Sequence, residues 1–293
     1  MTGTPEVGTT TASIQAYLHG LYNDATPEDP APSFILFVGD VAQCPTFTLS
    51  GDATDRPYCA VGGDIVPDIY YGRFSATNAS QLQAILDKTM MYDKFTMPDP
   101  SYLSEVVMIA GVDSSYGPVW ANGQINYGTT YYFNAAHGIT SHTYLYPASG
   151  SSDAQIIQDV SDGVAYVNYT AHGSTTSWSN PGFTQANINS LQNYGKYGLA
   201  IGNCCLTSTY DYGECFAETW LRAEDKGAIG YIGGSNSTYW DGDDWLEKGF
   251  FDALFDDDIS GIGGDWDRLY SNIAACYAGL SEVTVSNSSN EDY

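Results

Sequence analysis

Short apolar runs alternate with amphipathic segments along this chain. Five runs have the length and composition of buried strands, and each ends at small or polar residues: 34–38, 106–110, 163–169, 198–202 and 228–232. Between them, apolar residues such as Ile14, Tyr17, Leu18 and Leu21 recur at the spacing of a helix face. Strands that alternate with helices are typical of a parallel sheet covered on both faces. The pattern therefore predicts an α/β fold with a mostly parallel sheet.

Further helical patterns follow Ser80 and occupy residues 216–223 and 245–254. Ser152 and Gln155 have the spacing of a capping box ahead of another helix. Residues 114–147 have no sustained period, so we expect a long loop or a weak hairpin there. Pro98-Asp99-Pro100 resembles a linker and divides the chain into two sub-lobes, residues 1–98 and 101–293.

Composition narrows the class of protein. The 293 residues include 35 acidic and 9 basic side chains, a formal charge of −26, yet 43% are hydrophobic and 14% aromatic. That apolar content is too high for an acidic disordered chain. Nucleic acid is excluded as a partner because phosphate binding needs clustered Lys and Arg. No apolar run approaches the length of a membrane span. We therefore expect a globular protein, and the sequence leaves its oligomeric state open.

The cysteines and the N-terminus indicate the compartment only weakly. The six cysteines are too sparse for a disulfide scaffold and form no CxxC pair, although a Cys44–Cys59 bridge is compatible with their spacing. The first residues lack the basic and apolar regions of a secretion signal. Strong acidity, few Lys and abundant Ser, Thr, Asn and Gly nevertheless suit a secreted or cell-surface protein.

Two reactive side chains follow successive predicted strands. His172-Gly173 comes after the third strand and Cys205 after the fourth. In open parallel sheets, ligands bind beyond the carboxyl ends of the strands. Neighbouring strands would therefore bring an imidazole to a thiol, which can lower the pKa of the thiol and make it a nucleophile. The N–H groups of Gly173 and Cys205 are candidates to bind a developing oxyanion.

Each of these residues also has a structural interpretation. A cysteine at a strand end is more often a small buried hydrophobe, and a single histidine is more often a surface residue. Cys204 is the alternative nucleophile, although its side chain should face the opposite way from that of Cys205. His137-Gly138 is a second His-Gly pair, but it follows no apolar strand run.

Several motifs together resemble one family, the gingipain-type cysteine peptidases, which are relatives of the caspases. They occur in the family's order and extend over nearly the whole chain: 37–40 (FVGD), 67–75 (PDIYYGRFS), 167–174 (VNYTAHGS), 202–205 (GNCC), 214–218 (ECFAE) and the strand leading to Trp240. The resemblance implies a caspase-like three-layer sandwich. It also implies that the chain lacks a preceding strand of the family and ends before the strand that closes the peptidase domain.

The resemblance implies a role for individual residues. His172 is similar to the catalytic histidine, Cys205 to the nucleophile and Asp68 to the carboxylate that orients the imidazole. Gly173 resembles the glycine of the oxyanion hole, and Trp240 resembles the aromatic wall of the S1 pocket. The function implied is a cysteine endopeptidase acting on proteins or peptides, with no cofactor required for catalysis. For Asp68 the alternative is a carboxylate that caps a helix or turn.

The charge of the S1 pocket stays open at this level. Asp241, Asp243 and Asp244 follow Trp240 and are candidates for an acid that would select basic P1 residues, with Asp241 the first choice. A solvated turn or a structural calcium site explains the same three carboxylates equally well. The acidic run 256–258 is a second calcium candidate, although neither segment has EF-hand spacing. The alternative function is a catalytically inactive caspase-like module that serves binding or secretion.

Overall fold

The structure is a computed structural model that describes residues 7–64 and 67–255. Its helices are α1 Thr11–Asn23, α2 Arg56–Cys59, α3 Ala79–Asp93, α4 Asn122–Tyr131, α5 Asp153–Asp162, α6 Gln185–Ser190, α7 Phe216–Arg222 and α8 Trp240–Phe255. Its strands are β1 Phe34–Val38, β2 Phe47–Leu49, β3 Asp52–Thr54, β4 Tyr70–Phe74, β5 Glu105–Ala110, β6 Thr140–Tyr144, β7 Tyr166–Thr170, β8 Gly173–Ser174, β9 Ser177–Trp178, β10 Phe183–Thr184, β11 Leu199–Asn203 and β12 Gly230–Gly233.

The main sheet has five strands in the order β12-β11-β7-β5-β6, and every neighbouring pair is parallel. Its core strands are buried on both faces, which explains why they are continuous apolar runs in the sequence. The predicted α/β fold with a mostly parallel sheet is confirmed, and so is the prediction that β7 and β11 are neighbours.

Alternate residues of the strands face two separate cores. Val107, Val167 and Ala200 point to one face, where they pack with α5, α6 and α7. Met108 and Ile201 point to the other face, where they pack with α4 and α8. The two-residue repeat of the strands thus produces a sheet between two helical layers, the three-layer sandwich that was expected.

The N-terminal part of the chain forms a second, smaller sheet. Strands β1 and β4 pair in parallel, and Leu18, Phe37 and Tyr58 form a core beneath them with α1 and α2. Buried polar contacts join this part to α7, because Arg222 bonds Asp40. The β1-β4 sheet lies within residues 1–98 and the five-stranded sheet follows residue 101, but the division into sub-lobes stays a prediction.

Some local expectations were wrong. Residues 114–147 are not a loop: they contain a π-helical turn at Gly117–Ala121, helix α4 and the edge strand β6. The sequence pattern did not indicate α4 because this segment is rich in Gly, Asn and Tyr and the helix has few apolar residues. Ser152 precedes α5, but its side chain makes no capping bond. Cys44 and Cys59 are buried free thiols rather than a disulfide. The acidic run 256–258 and Cys276 lie outside the described residues.

Candidate active site

Three adjacent strands end at the same edge of the main sheet. In the register of the sheet, Ala110 of β5 is opposite Thr170 of β7, which is opposite Asn203 of β11. His172 lies two residues after Thr170, and Cys205 lies two residues after Asn203, as predicted from the two strand ends. Asp113 lies three residues after Ala110, the last residue of β5. One sheet edge therefore carries a carboxylate, an imidazole and a thiol.

Asp113 is the carboxylate that contacts the imidazole. Its Oδ2 atom lies 2.8 Å from Nε2 of His172, and its Oδ1 atom accepts backbone N–H bonds from Ser115 and Tyr116 at 2.7 and 2.8 Å. The hydrogen bond from His172 is the largest cause that lowers the pKa of the Asp113 carboxyl below its usual value. The carboxylate is therefore ionised, and two backbone donors fix its orientation toward the histidine.

Asp68 is not at this position. Its carboxylate accepts the backbone N–H groups of Val61 and Gly62 at 2.6 and 2.7 Å, so it closes the loop that precedes β4. The structure thus corrects the expectation that Asp68 contacts His172, and it favours the alternative of a turn-capping carboxylate. The signal for Asp113 was present in the sequence, because Asp113 ends the β5 run just as His172 ends that of β7.

The two adjacent thiols have different surroundings. Cys204 is fully buried in the core, and burial is the main cause that raises the pKa of its thiol well above the usual value. Cys205 is half-buried, and its Sγ atom accepts the N–H of Thr238 at 3.2 Å. A thiolate is stabilised by such a donor, whereas burial in apolar surroundings opposes it. Of the two, Cys205 has the environment of a reactive thiol.

The backbone turns sharply immediately after Cys205. Leu206 has a φ of 65°, in the left-handed region that a branched side chain rarely adopts, and its N–H donates to Asn236 O at 3.0 Å. Strained backbone of this kind persists where the surrounding structure holds it, and it is common at functional sites. Leu206 thus turns the chain shortly after β11, and the residues that follow bond the segment 234–236.

Gly173 lies directly against the cysteine pair. A Cβ atom added to it would come within 2.5 Å of the Cys205 carbonyl oxygen and 2.6 Å of Cys204 Sγ. Only glycine fits this gap without a shift of the backbone. The residue predicted for the oxyanion hole is thus adjacent to Cys205, although its role stays a prediction.

Aromatic side chains border the imidazole. The Trp240 ring meets the His172 ring edge-on, with centroids 5.6 Å apart, and Tyr116 stacks on Trp240 at the same centroid distance. The His172 side chain is still 49% exposed. Trp240, which was expected to line the substrate pocket, is therefore next to the histidine at the start of α8.

The acidic residues after Trp240 separate by burial. Asp241, the first choice for substrate binding, is exposed at the surface. Asp243 is only 3% exposed, and its Oδ2 accepts the hydroxyl of Thr238 at 3.0 Å. The same hydroxyl lies 3.8 Å from Cys205 Sγ. The carboxylate nearest the thiol in this segment is therefore that of Asp243, because helical geometry turns Asp241 toward solvent.

The metal expectation finds no support within residues 7–64 and 67–255: nowhere there do three or more His, Cys, Asp or Glu side chains converge in a way that could hold a metal ion. Structural calcium stays a prediction. Among the helices described, none combines the length and apolar character that a bilayer span requires.

The family model and similar proteins identify the same family for this chain. Residues 2–281 match peptidase family C25. Lys-gingipain of Porphyromonas gingivalis is 43% identical over 258 residues, which are 85% of this chain and 14% of that protein. Gingipain R2 of the same organism is 26% identical over 200 residues, 67% of this chain and 27% of that protein. The chain thus spans only a small part of the length of these relatives.

Solved structures agree in fold. A protease of known structure that is 37% identical superposes with a TM-score of 0.82 over 95% of this chain and 68% of its own. The Arg-specific cysteine proteinase gingipain R is 21% identical and superposes with a TM-score of 0.81 over 98% of this chain and 66% of its own.

Proposed function

Because the chain belongs to peptidase family C25, we propose that it is a cysteine endopeptidase whose nucleophile is Cys205. The observation that carries the proposal is the row of Asp113, His172 and Cys205 at the ends of three adjacent strands, in which Asp113 bonds His172 at 2.8 Å. A carboxylate, an imidazole and a half-buried thiol on one rigid edge are the groups that thiol-dependent acyl transfer needs.

The reaction follows from these groups. Asp113 accepts Nε2–H of His172, so Nδ1 of the ring is left to exchange protons with the thiol and the substrate. The Cys205 thiolate attacks the scissile carbonyl, and an S–C bond forms. His172 then protonates the leaving amine as the C–N bond breaks. Water, deprotonated by the same imidazole, attacks the thioester, and the carboxylic acid product and the thiol are released.

Backbone N–H groups of Gly173 and Cys205 serve, in this proposal, as the donors to the oxyanion. The close packing of Gly173 on Cys205, where a Cβ would meet the carbonyl at 2.5 Å, supports this assignment. Removal of one such donor typically costs roughly 3–4 kcal/mol of transition-state stabilisation.

The finer part of the proposal is cleavage after basic residues, with Asp243 as the S1 acid. Its buried carboxylate is separated from Cys205 Sγ by a single hydroxyl, that of Thr238. A lysine side chain entering beside Trp240 would pair with it in a partly desolvated pocket, where charge-assisted hydrogen bonds are strong. One relative in the family is named Lys-gingipain, which supports lysine as the P1 residue.

A series of peptides that differ only at P1 tests this function. Lysine, arginine, norleucine and glutamate are compared on the wild-type chain and on Cys205→Ala. We expect thiol-dependent cleavage with lysine well ahead of norleucine, which has the same four side-chain carbons without the ammonium group, and no cleavage by Cys205→Ala. No thiol-dependent cleavage of any peptide would instead favour an inactive caspase-like module.

The proposal also covers the substrates, the cellular location and the role of calcium. We propose proteins or peptides as substrates. We also propose a secreted or cell-surface location, which is consistent with the low content of Lys and Arg, 9 residues in all. No cofactor takes part in the proposed chemistry, and calcium would act only on stability. A melting temperature that millimolar calcium does not change would remove the calcium proposal.

A further inference from the structure

A buried carboxylate of α8 bridges the two strands that lead to the reactive pair. Glu247 is 3% exposed, and its two carboxylate oxygens accept the side-chain amides of Asn168 on β7 and Asn203 on β11, the latter at 2.9 Å. Asn168 lies four residues before His172, and Asn203 lies two residues before Cys205. One helical side chain therefore holds α8 in register with both strands.

The same contacts continue to the proposed S1 acid. Asn203 Nδ2 also donates to the backbone carbonyl of Asp243 at 3.0 Å. The Asp243 carboxylate accepts the hydroxyl of Thr238, and the N–H of Thr238 donates to Cys205 Sγ. Contacts from Glu247 thus run through Asn203 and Asp243 to the residue that touches the thiol.

Stability alone does not account for a carboxylate here. The two side chains that donate to Glu247 in the described part of the chain are neutral amides, which bring no positive charge to offset the cost of taking a carboxylate out of water. Replacing buried charges with apolar side chains of similar size is often neutral or stabilising. Burial is the largest cause that raises the pKa of Glu247 to about 8, and the two amides oppose it. What the carboxylate supplies instead is two directed acceptors.

We propose that Glu247 is a positioning residue for the S1 pocket: by bonding Asn168 and Asn203 it holds Asp243, and with it the substrate's cationic side chain, at a fixed place beside Cys205. The inference rests on the proposed function, because it assigns Glu247 to the pocket of that same reaction. It predicts an effect on recognition of the P1 side chain rather than on the reactivity of the thiol.

The test compares Glu247→Gln with the wild-type chain and with Glu224→Gln, which removes an exposed carboxylate after α7. A glutamine presents an N–H₂ group to one of the two amide donors, so one bond is lost. Above about pH 8, where Glu247 is ionised, we expect KM for lysyl peptides to rise about tenfold while kcat changes less than about threefold. Alkylation of Cys205 by iodoacetamide, which does not use the S1 pocket, should keep its wild-type rate. Glu224→Gln should match the wild type in all three measurements.

A pH profile separates positioning from a merely structural role. The ratio of kcat/KM for lysyl and norleucyl peptides cancels the ionisation of the catalytic pair, since both peptides use it. In the wild type this ratio should rise as Glu247 ionises, and in Glu247→Gln it should stay flat. The other titratable groups coupled to Glu247 are the same in both proteins: Asp243, Asp244, Tyr166 and Cys204.

An unchanged KM in Glu247→Gln, or equal losses in kcat and in the alkylation rate, would overturn the inference. If Glu247→Gln does not fold, Asn168→Ala removes the bond from β7 to Glu247, together with the bond that Asn168 accepts from the Tyr166 hydroxyl, and should raise KM in the same direction but less. A wild-type chain that cleaves no basic substrate would refute the proposed function. In that case a crystal structure of Glu247→Gln decides: an Asp243 carboxylate still bonded to Thr238 would overturn the inference, and a displaced one would support it.

Discussion

Nε2 of His172 lies 2.8 Å from Oδ2 of Asp113, although 59 residues separate the two along the chain. They meet because β5 and β7 are adjacent parallel strands, so that the residues beyond their carboxyl ends come to one edge. This hydrogen-bonded pair lies beside Trp240, whose ring is in contact with that of His172. This relationship makes Asp113 the residue whose substitution best tests how the histidine is oriented.

Asp113→Asn should lower kcat/KM by about 10²- to 10⁴-fold, because an amide neither orients the imidazole correctly nor stabilises its protonated form. Asp68→Asn is the matched control, since the Asp68 carboxylate accepts the backbone N–H groups of Val61 and Gly62 in the loop before β4. It should retain activity within about threefold. Steady-state kinetics on a lysyl peptide measures both. A larger loss for Asp68→Asn than for Asp113→Asn would contradict the observed geometry.

Labelling with a peptidyl acyloxymethyl ketone should distinguish the two adjacent thiols. Cys204 is fully buried with a raised thiol pKa, whereas Cys205 is half-buried beside Thr238. We expect Cys205→Ala to abolish labelling and Cys204→Ala to retain it. Mass spectrometry of the labelled peptide identifies the modified residue. Labelling that persists in Cys205→Ala and disappears in Cys204→Ala would assign the nucleophile to Cys204.

Asp243→Asn should weaken cleavage of lysyl peptides by roughly 30- to 1,000-fold, the range for losing one partner of a desolvated charge pair. Asp241→Asn should change it little, because Asp241 is exposed while Asp243 is 3% exposed. Norleucyl peptides provide the internal reference, since their cleavage should respond weakly to either change. Equal effects on lysyl and norleucyl peptides would show that Asp243 is not a charge-selecting residue.

Arg222→Ala should destabilise the fold by about 3–5 kcal/mol, since it leaves buried carboxylates without their cation. Nη2 of Arg222 lies 2.8 Å from Asp40 and 2.5 Å from Glu218, and its Nε donates to Ser75 O. These contacts tie α7 to the segments that follow β1 and β4. Urea unfolding measures the change, with the exposed Lys94→Ala, expected within about 0.5 kcal/mol, as control. A loss below about 1 kcal/mol for Arg222→Ala would contradict a tight network.

Stability should fall as the pH rises between the unfolded and folded pKa values of Glu247. The folded value is raised to about 8 from the ordinary 4.5, so the folded state holds a proton that the unfolded state has lost. The unfolding free energy therefore decreases with rising pH in this window, by an amount on the order of a few kcal/mol. Urea unfolding of wild-type and Glu247→Gln proteins at several pH values tests it. Parallel curves for the two proteins would contradict the assignment.

The sequence by itself determined the layered fold and two members of the site. Strands β5, β7 and β11 are buried and apolar on both faces, and together with β1 and β12 they were recognisable as short continuous apolar runs. A residue just beyond such a run must lie at the sheet edge, which is why His172 and Cys205 could be identified. The helix in segment 114–147 was not predicted, because α4 has few apolar residues and its packing against α8 depends on the tertiary structure.

Only the tertiary structure decided which acids belong to the site. Asp113 ends the β5 run and so belongs at the sheet edge, but sequence position does not show whether it or Asp68 reaches the imidazole. Likewise Asp241 and Asp243 differ by two residues, but the helix turns one toward solvent and the other toward Thr238. The selection depends on strand order and helix rotation, which are set by packing between segments far apart in the chain. Neither strand order nor helix rotation can be read from a local sequence pattern.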